Sequence, residues 1–83
     1  MTYCDLMKTD LDKAIVANVK KMREKLDISQ RRLAIIIGTT YGFVNKVEDE
    51  NSHQKYSAQH LYLIAEDFDC EVSDLFPPVK RKG

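Results

Sequence analysis

The sequence is poor in the residues that punctuate or cross-link a chain: three Gly, two Pro, two Cys and no Trp in 83 positions. So little Gly and Pro excludes collagen-like and linker-like compositions and most sandwich folds, which need turn residues at short intervals. Cys4 and Cys70 stand far apart and form no C-x-x-C pair. A disulfide framework is therefore excluded, and a reducing, cytoplasmic setting is expected. Long apolar runs are missing as well. No run exceeds the five residues of 33–37, whereas a membrane span needs about 20. The opening residues Met1-Thr2-Tyr3-Cys4-Asp5 carry no basic start followed by an apolar stretch, so no secretory leader is expected. Charge of one sign is not in excess either, since 13 Lys and Arg balance 13 Asp and Glu.

What remains is an ordinary globular composition, 43% apolar and 31% charged, at a length that suits one small domain. The balanced charge hides a split. Residues 8–46 hold nine Lys and Arg against four acids, while residues 47–76 hold Lys55 against eight acids. A chain divided in this way is able to carry a polyanion on one face without a basic overall composition. Random clustering on a solvated surface is the alternative.

Residues 1–9 show no period and read as a frayed N-terminal arm, 10–77 as the folded domain, and 78–83, with Lys80-Arg81-Lys82, as a basic tail. Leu11, Ile15, Val19, Met22 and Leu26 recur at helical spacing. Asp10 is the expected cap of this first helix, with Asp12 in its first turn and Asp27 at its end. Ser29 caps a second segment that stops at Gly38, and Thr40 caps a third with Val44 and Val47 facing inward. The polar stretch 49–56 reads as a loop. Ser57 then opens a helix whose Leu61, Ile64, Ala65 and Phe68 share a face, and residues 72–76 make a final turn before Pro77-Pro78. Five helices in an all-α domain are expected.

Residues 29–48 have the form of a helix-turn-helix: a capped helix, a turn holding Gly38, and a second capped helix. Ala34 is small enough to let the two helices cross closely. Arg31 and Arg32 fall at the second and third positions of their helix, where cations oppose the helix dipole by roughly 0.3–1 kcal/mol each. A Glu there would complete a capping box. Two Arg in its place point to an anion bound nearby, with Arg31 the stronger candidate. Side chains that simply extend into water are the other reading.

The ordered set Arg23, Ile28-Ser29-Gln30, Leu33-Ala34, Gly38-Thr39-Thr40, Val44-Asn45-Lys46-Val47-Glu48, Leu61, Ile64-Ala65, Phe68 and Val72-Ser73-Asp74-Leu75-Phe76 resembles the Xre-type helix-turn-helix domain of phage repressor and Cro proteins. The resemblance covers residues 15–77. It implies a five-helix, repressor-like fold that binds double-stranded DNA and regulates transcription, with residues 40–48 as recognition helix in the major groove. By position, Tyr41, Gly42, Asn45 and Lys46 match base- or groove-facing places. Thr40 matches a cap that also touches phosphate, Gln30 a phosphate contact, and Asn51 and Lys55 a loop that follows the backbone. Arg23 and Glu48 match a structural ion pair. A homodimer on a two-fold site, without cofactor, small-molecule ligand or membrane, completes the expectation.

Several residues depart from the pattern. Gly42 offers no side chain to a base, and Tyr41 and Phe43 make the third helix unusually aromatic, with Phe43 read as packing. The loop after Glu48 is long and begins with Asp49 and Glu50, which suit phosphate badly. Ile35 and Ile36 replace polar residues and, with Phe76 or Val79, suggest a self-association patch. A fold that has lost DNA contact and serves as an antitoxin-like or adaptor module is the rival reading. An enzyme is not expected. His53 and His60 read as solvated side chains without metal-ligand spacing, Cys70 reads as core, and no nucleophile–base set or phosphate-cradling glycine loop is present.

Overall fold

In the computed structural model, which describes residues 8–79, the elements follow as α1 (Asp10–Lys25), α2 (Gln30–Ile36), α3 (Tyr41–Glu48), α4 (Ala58–Asp67) and a 3-10 helix, Val72–Leu75. No strand occurs among the described residues. The all-α expectation holds in this form: four α-helices, with a single 3-10 turn where a fifth helix was expected. Residues 1–7 of the expected arm and 80–83 of the expected tail lie outside the described residues.

Thr9 rather than Asp10 caps α1. Thr9 Oγ1 accepts the Asp12 N–H at 3.1 Å, and Asp12 Oδ2 accepts the Thr9 N–H at 2.9 Å. Asp12 thus fills the role that Glu or Gln plays in a capping box. The buried face of α1 is also turned from the expected stripe. Ile15, Val16, Val19 and Arg23 are buried, while Leu11 and Leu26, at the two ends of the helix, are each 49% exposed. Periodicity gives the direction of a stripe; the neighbours that cover it, here α3 and the 3-10 helix, decide how far it turns.

Three helices end in one way. After α2, Thr39 N–H donates to Ala34 O at 2.9 Å and Gly38 N–H to Ile35 O at 3.2 Å. This is the Schellman arrangement, which needs a left-handed residue after the cap. Gly38 supplies it with φ +69°. At the ends of α1 and α4 the same bonds form around Asp27 and Asp69, with φ 59° and 56°. Aspartate visits this region more readily than most side chains. A sequence with so little glycine therefore makes its turns with acids.

The core gathers Val19, Leu33, Val44, Val47, Ile64 and Leu75, all without solvent access. Ala34 is buried on α2, the helix that packs against both α3 and α4. Leu61, Ile64, Ala65 and Phe68 cover the bundle from α4. Asn18 Nδ2 donates to Leu75 O at 3.1 Å and ties the 3-10 helix to α1. Of the two isoleucines in question, Ile35 is 70% exposed and Ile36 is half-buried against the core.

A Cβ at Gly38 would meet no atom within 4 Å, so the cost of Gly38→Ala is backbone strain alone. We expect a loss of about 1–2 kcal/mol. Thermal unfolding should register about 4–8 °C of Tm for each kcal/mol in a domain of this size.

Candidate nucleic-acid interface

Helix α3 is fixed at both ends. Thr40 Oγ1 accepts the Phe43 N–H at 3.1 Å. At the other end, Lys8 Nζ donates to Val47 O at 2.6 Å and to Asp49 O at 3.4 Å. An ammonium group there meets orphan carbonyls and the negative end of the dipole. Lys8 is buried. Burial lowers its pKa, and Asp49 works in the opposite direction. The residue read from sequence as part of a frayed arm is thus a C-terminal clasp on α3. No local signal identifies it, because its partners lie about 40 positions away.

Between those ends the helix has two unlike faces. Val44 and Val47 are fully buried. Tyr41, Gly42, Asn45 and Lys46 are exposed. Gly42 is not forced by packing: a Cβ there would meet only Thr40 Oγ1, at 3.9 Å. Arg31 reaches across from α2, its guanidinium carbon 4.5 Å from the centre of the Tyr41 ring. Such a cation–π contact orders the guanidinium and leaves its N–H edge free for an acceptor. The aromatic residue that opens α3 therefore positions a cation beside it.

Beneath this face lies a polar chain. Arg23 Nε and Nη2 donate to Glu48 Oε2 and Oε1, both at 3.0 Å, and Nη1 donates to Ile28 O at 2.7 Å. The two side chains are 9% and 3% exposed. Gln30 Nε2 donates to the same Glu48 Oε1 at 2.9 Å, and Gln30 Oε1 accepts from Asn45 Nδ2 at 3.2 Å. The Gln30 amide, which position matched to a phosphate contact, is thus directed at Glu48 and Asn45.

The loop residues divide. Asn51 is exposed, and its N–H donates to Asp49 Oδ1 at 3.0 Å in a tight turn. Lys55 is engaged elsewhere, its Nζ lying 3.4 Å from Asp12 Oδ2. Asp49 and Glu50 are exposed beside the end of α3. The lysines of the basic half do not gather on α3. Lys8, Lys13, Lys20 and Lys21 line a groove of about 370 Å³ along α1, interleaved with Glu24, Glu48 and Glu50.

Behind α3 sits an aromatic cluster that sequence reading missed. Phe43 is half-buried, with its ring centroid 5.2 Å from His60 and 6.4 Å from Tyr56. His60 is half-buried and not the solvated residue expected. Its Nδ1 accepts the Ser57 N–H at 3.2 Å and closes the cap of α4. The Tyr56 hydroxyl is buried without a hydrogen-bond partner. Burial first, and the Glu48 carboxylate second, push its pKa up. Cys70 packs at the core's edge, and burial followed by Asp74, Asp69 and Glu71 raises its thiol pKa. A thiol held protonated is a poor nucleophile.

No family model matches the chain, and no curated protein matches it. Solved structures do. The restriction-modification controller protein C.AhdI from Aeromonas hydrophila is 26% identical, with a TM-score of 0.64 over 89% of this chain and 100% of that one. HppE, in its cobalt(II) form in complex with substrate, is 22% identical, with a TM-score of 0.69 over 82% of this chain. This chain covers only 37% of HppE, and that likeness concerns the fold alone.

Two substitutions test the polar interior. Glu48→Ala leaves Arg23 buried with one of its two partners gone, and should cost about 3–5 kcal/mol. Tyr56→Phe removes an unpaired buried hydroxyl and should raise stability by about 1 kcal/mol. Melting curves check both, and an unchanged Tm in Glu48→Ala contradicts a structural role for the pair.

Proposed function

We propose that the chain is a small transcriptional regulator that binds double-stranded DNA sequence-specifically, as a homodimer, with α3 in the major groove. The observation that carries this reading is the outer face of α3. Tyr41, Gly42, Asn45 and Lys46 are exposed and include no acid, on a helix capped at both ends and packed through Val44 and Val47. Its width suits a major groove that admits one α-helix. The Arg31–Tyr41 stack adds a cation at the start of that face. Likeness to a protein named as a restriction-modification controller supports a regulatory role.

In this reading Lys46 and Arg31 meet base edges or phosphate, and Thr40 and Asn51 follow the backbone. Gln30 acts through Asn45, and Lys55 reaches phosphate only by leaving Asp12. One module of this size reads half of an operator, so two copies bind half-sites about one helical turn apart. The protein is a binder in this reading, with no catalysis and no cofactor. The exposed Asp49 and Glu50 favour the rival, a protein-interaction module that has given up DNA.

A salt titration separates the two. Duplex affinity measured by fluorescence anisotropy should fall with a log–log slope near −0.9 for each phosphate neutralised. If Lys46 meets phosphate, Lys46→Ala should weaken binding across sequences and reduce the slope by about 1. Absence of duplex affinity at low salt decides for the rival.

A further inference from the structure

The polar chain beneath α3 has a direction. Glu48, paired with Arg23, presents carboxylate oxygens, which only accept hydrogen bonds. The group that Gln30 turns toward Glu48 must therefore be its NH2, as the 2.9 Å contact from Nε2 to Oε1 has it. That leaves the Gln30 carbonyl oxygen on the far side, where it accepts from Asn45 Nδ2 at 3.2 Å. The orientation of Asn45 follows in turn. One Nδ2 hydrogen is spent on Gln30, while Oδ1 and the second Nδ2 hydrogen stay free on an exposed side chain. An isolated surface asparagine flips between two orientations. This one is set by a buried carboxylate two side chains away.

We infer that Asn45 reads an adenine in the major groove and that Gln30 is the positioning residue that fixes its amide for that base. The inference rests on the DNA-binding role proposed above. Adenine presents an N6–H donor beside the N7 acceptor, the complement of a free Oδ1 beside a free Nδ2–H. Guanine presents two acceptors, N7 and O6, and sets one of them against Oδ1. Thymine sets O4 against it. Cytosine satisfies Oδ1 through N4–H2 and offers nothing to the amide N–H. With Asn45 free to flip, these distinctions weaken; with its amide fixed, each wrong base leaves a polar group unpaired.

The test is selection of the wild-type chain on a randomised duplex library, followed by anisotropy titrations of wild type, Asn45→Ala, Asn45→Asp and Gln30→Ala on the selected site. We expect one A·T pair per half-site whose replacement by G·C weakens wild type by about 5- to 150-fold. The same replacement should hardly affect Asn45→Ala. Asn45→Asp has no donor for N7 and should lose the adenine preference. Gln30→Ala should leave the salt slope unchanged, since it removes no phosphate contact in this reading, but narrow the adenine-over-guanine ratio at that pair, with a melting curve confirming that it is folded. The inference is overturned if Asn45→Ala leaves every position unchanged, or if the affected position is not adenine. An unchanged ratio in Gln30→Ala removes the positioning role. Salt-dependent duplex binding without a selected site overturns the adenine reading and leaves DNA contact standing. No duplex affinity at all overturns both.

Discussion

Arg23 belongs to α1 by sequence, yet its guanidinium serves two other segments. It donates to the Ile28 carbonyl between α1 and α2, and twice to Glu48 at the end of α3. Glu48 in turn accepts from Gln30 at the start of α2. The helix-turn-helix is thus pinned to the first helix at a single buried point. A pair of this kind adds little net stability over a well-packed apolar replacement, because desolvation cancels much of the attraction. Its contribution is geometric. Val44 and Val47 would tolerate some rolling of α3 against the core, since apolar contact has no preferred direction. Bidentate hydrogen bonds do have one, and they fix the face of α3 turned outward.

The ends of α3 are governed by the same economy of partners. Its C-cap is Asp49, an acid at the negative end of a helix dipole, which is unfavourable. Lys8 offsets this by laying its ammonium on the Val47 and Asp49 carbonyls. The residue just before the Thr9 cap therefore closes α3 while Thr9 opens α1. Lys55 makes a second tie in this region through Asp12, itself part of the α1 cap. Lys8, from the amino-terminal side of the chain, meets the start of the acidic run that follows α3, and Lys55, from beyond that run, meets Asp12. Those cations are then not free for a polyanion.

What was legible in the sequence was local. Ser29, Thr40 and Ser57 cap the helices that they appeared to cap, and Gly38 takes the left-handed turn, because these features depend on one to four neighbouring positions. The misses were of two kinds. Thr9 and Asp10 both belong to the cap-forming set, and the choice between them turned on an aspartate at the third helical position in place of the usual glutamate. The other misses were long-range. Leu11 and Leu26 fit the stripe of α1 but overhang its ends. Lys8 read as part of an arm, Lys55 as a loop contact to a DNA backbone and His60 as solvated, because Val47, Asp12 and Phe43, which they meet, sit in other elements. For the candidate interface, periodicity turned Val44 and Val47 inward, and the outward set on α3 was what the resemblance implied by position. The roles of Gln30 and Tyr41 were not legible, since each is defined by a side chain from the facing helix.

The distribution of charge sets what kind of binding this face is able to support. Among the described residues of α2 and α3, Arg31, stacked on Tyr41, Arg32 and Lys46 are cations without an ion-pair partner; Lys8 and Lys55 are engaged, and Asp49 and Glu50 stand exposed nearby. Non-specific affinity for DNA comes almost wholly from phosphate neutralisation. In the proposed DNA-binding role, the described residues beside α3 supply few cations to that component. In the proposed homodimer, base contacts and the joining of two copies supply the rest, the second half-site being reached at a high effective concentration. A face of this composition gives little to random DNA and depends on the orientation of a few side chains. That is the circumstance in which a fixed asparagine amide contributes more than another lysine would.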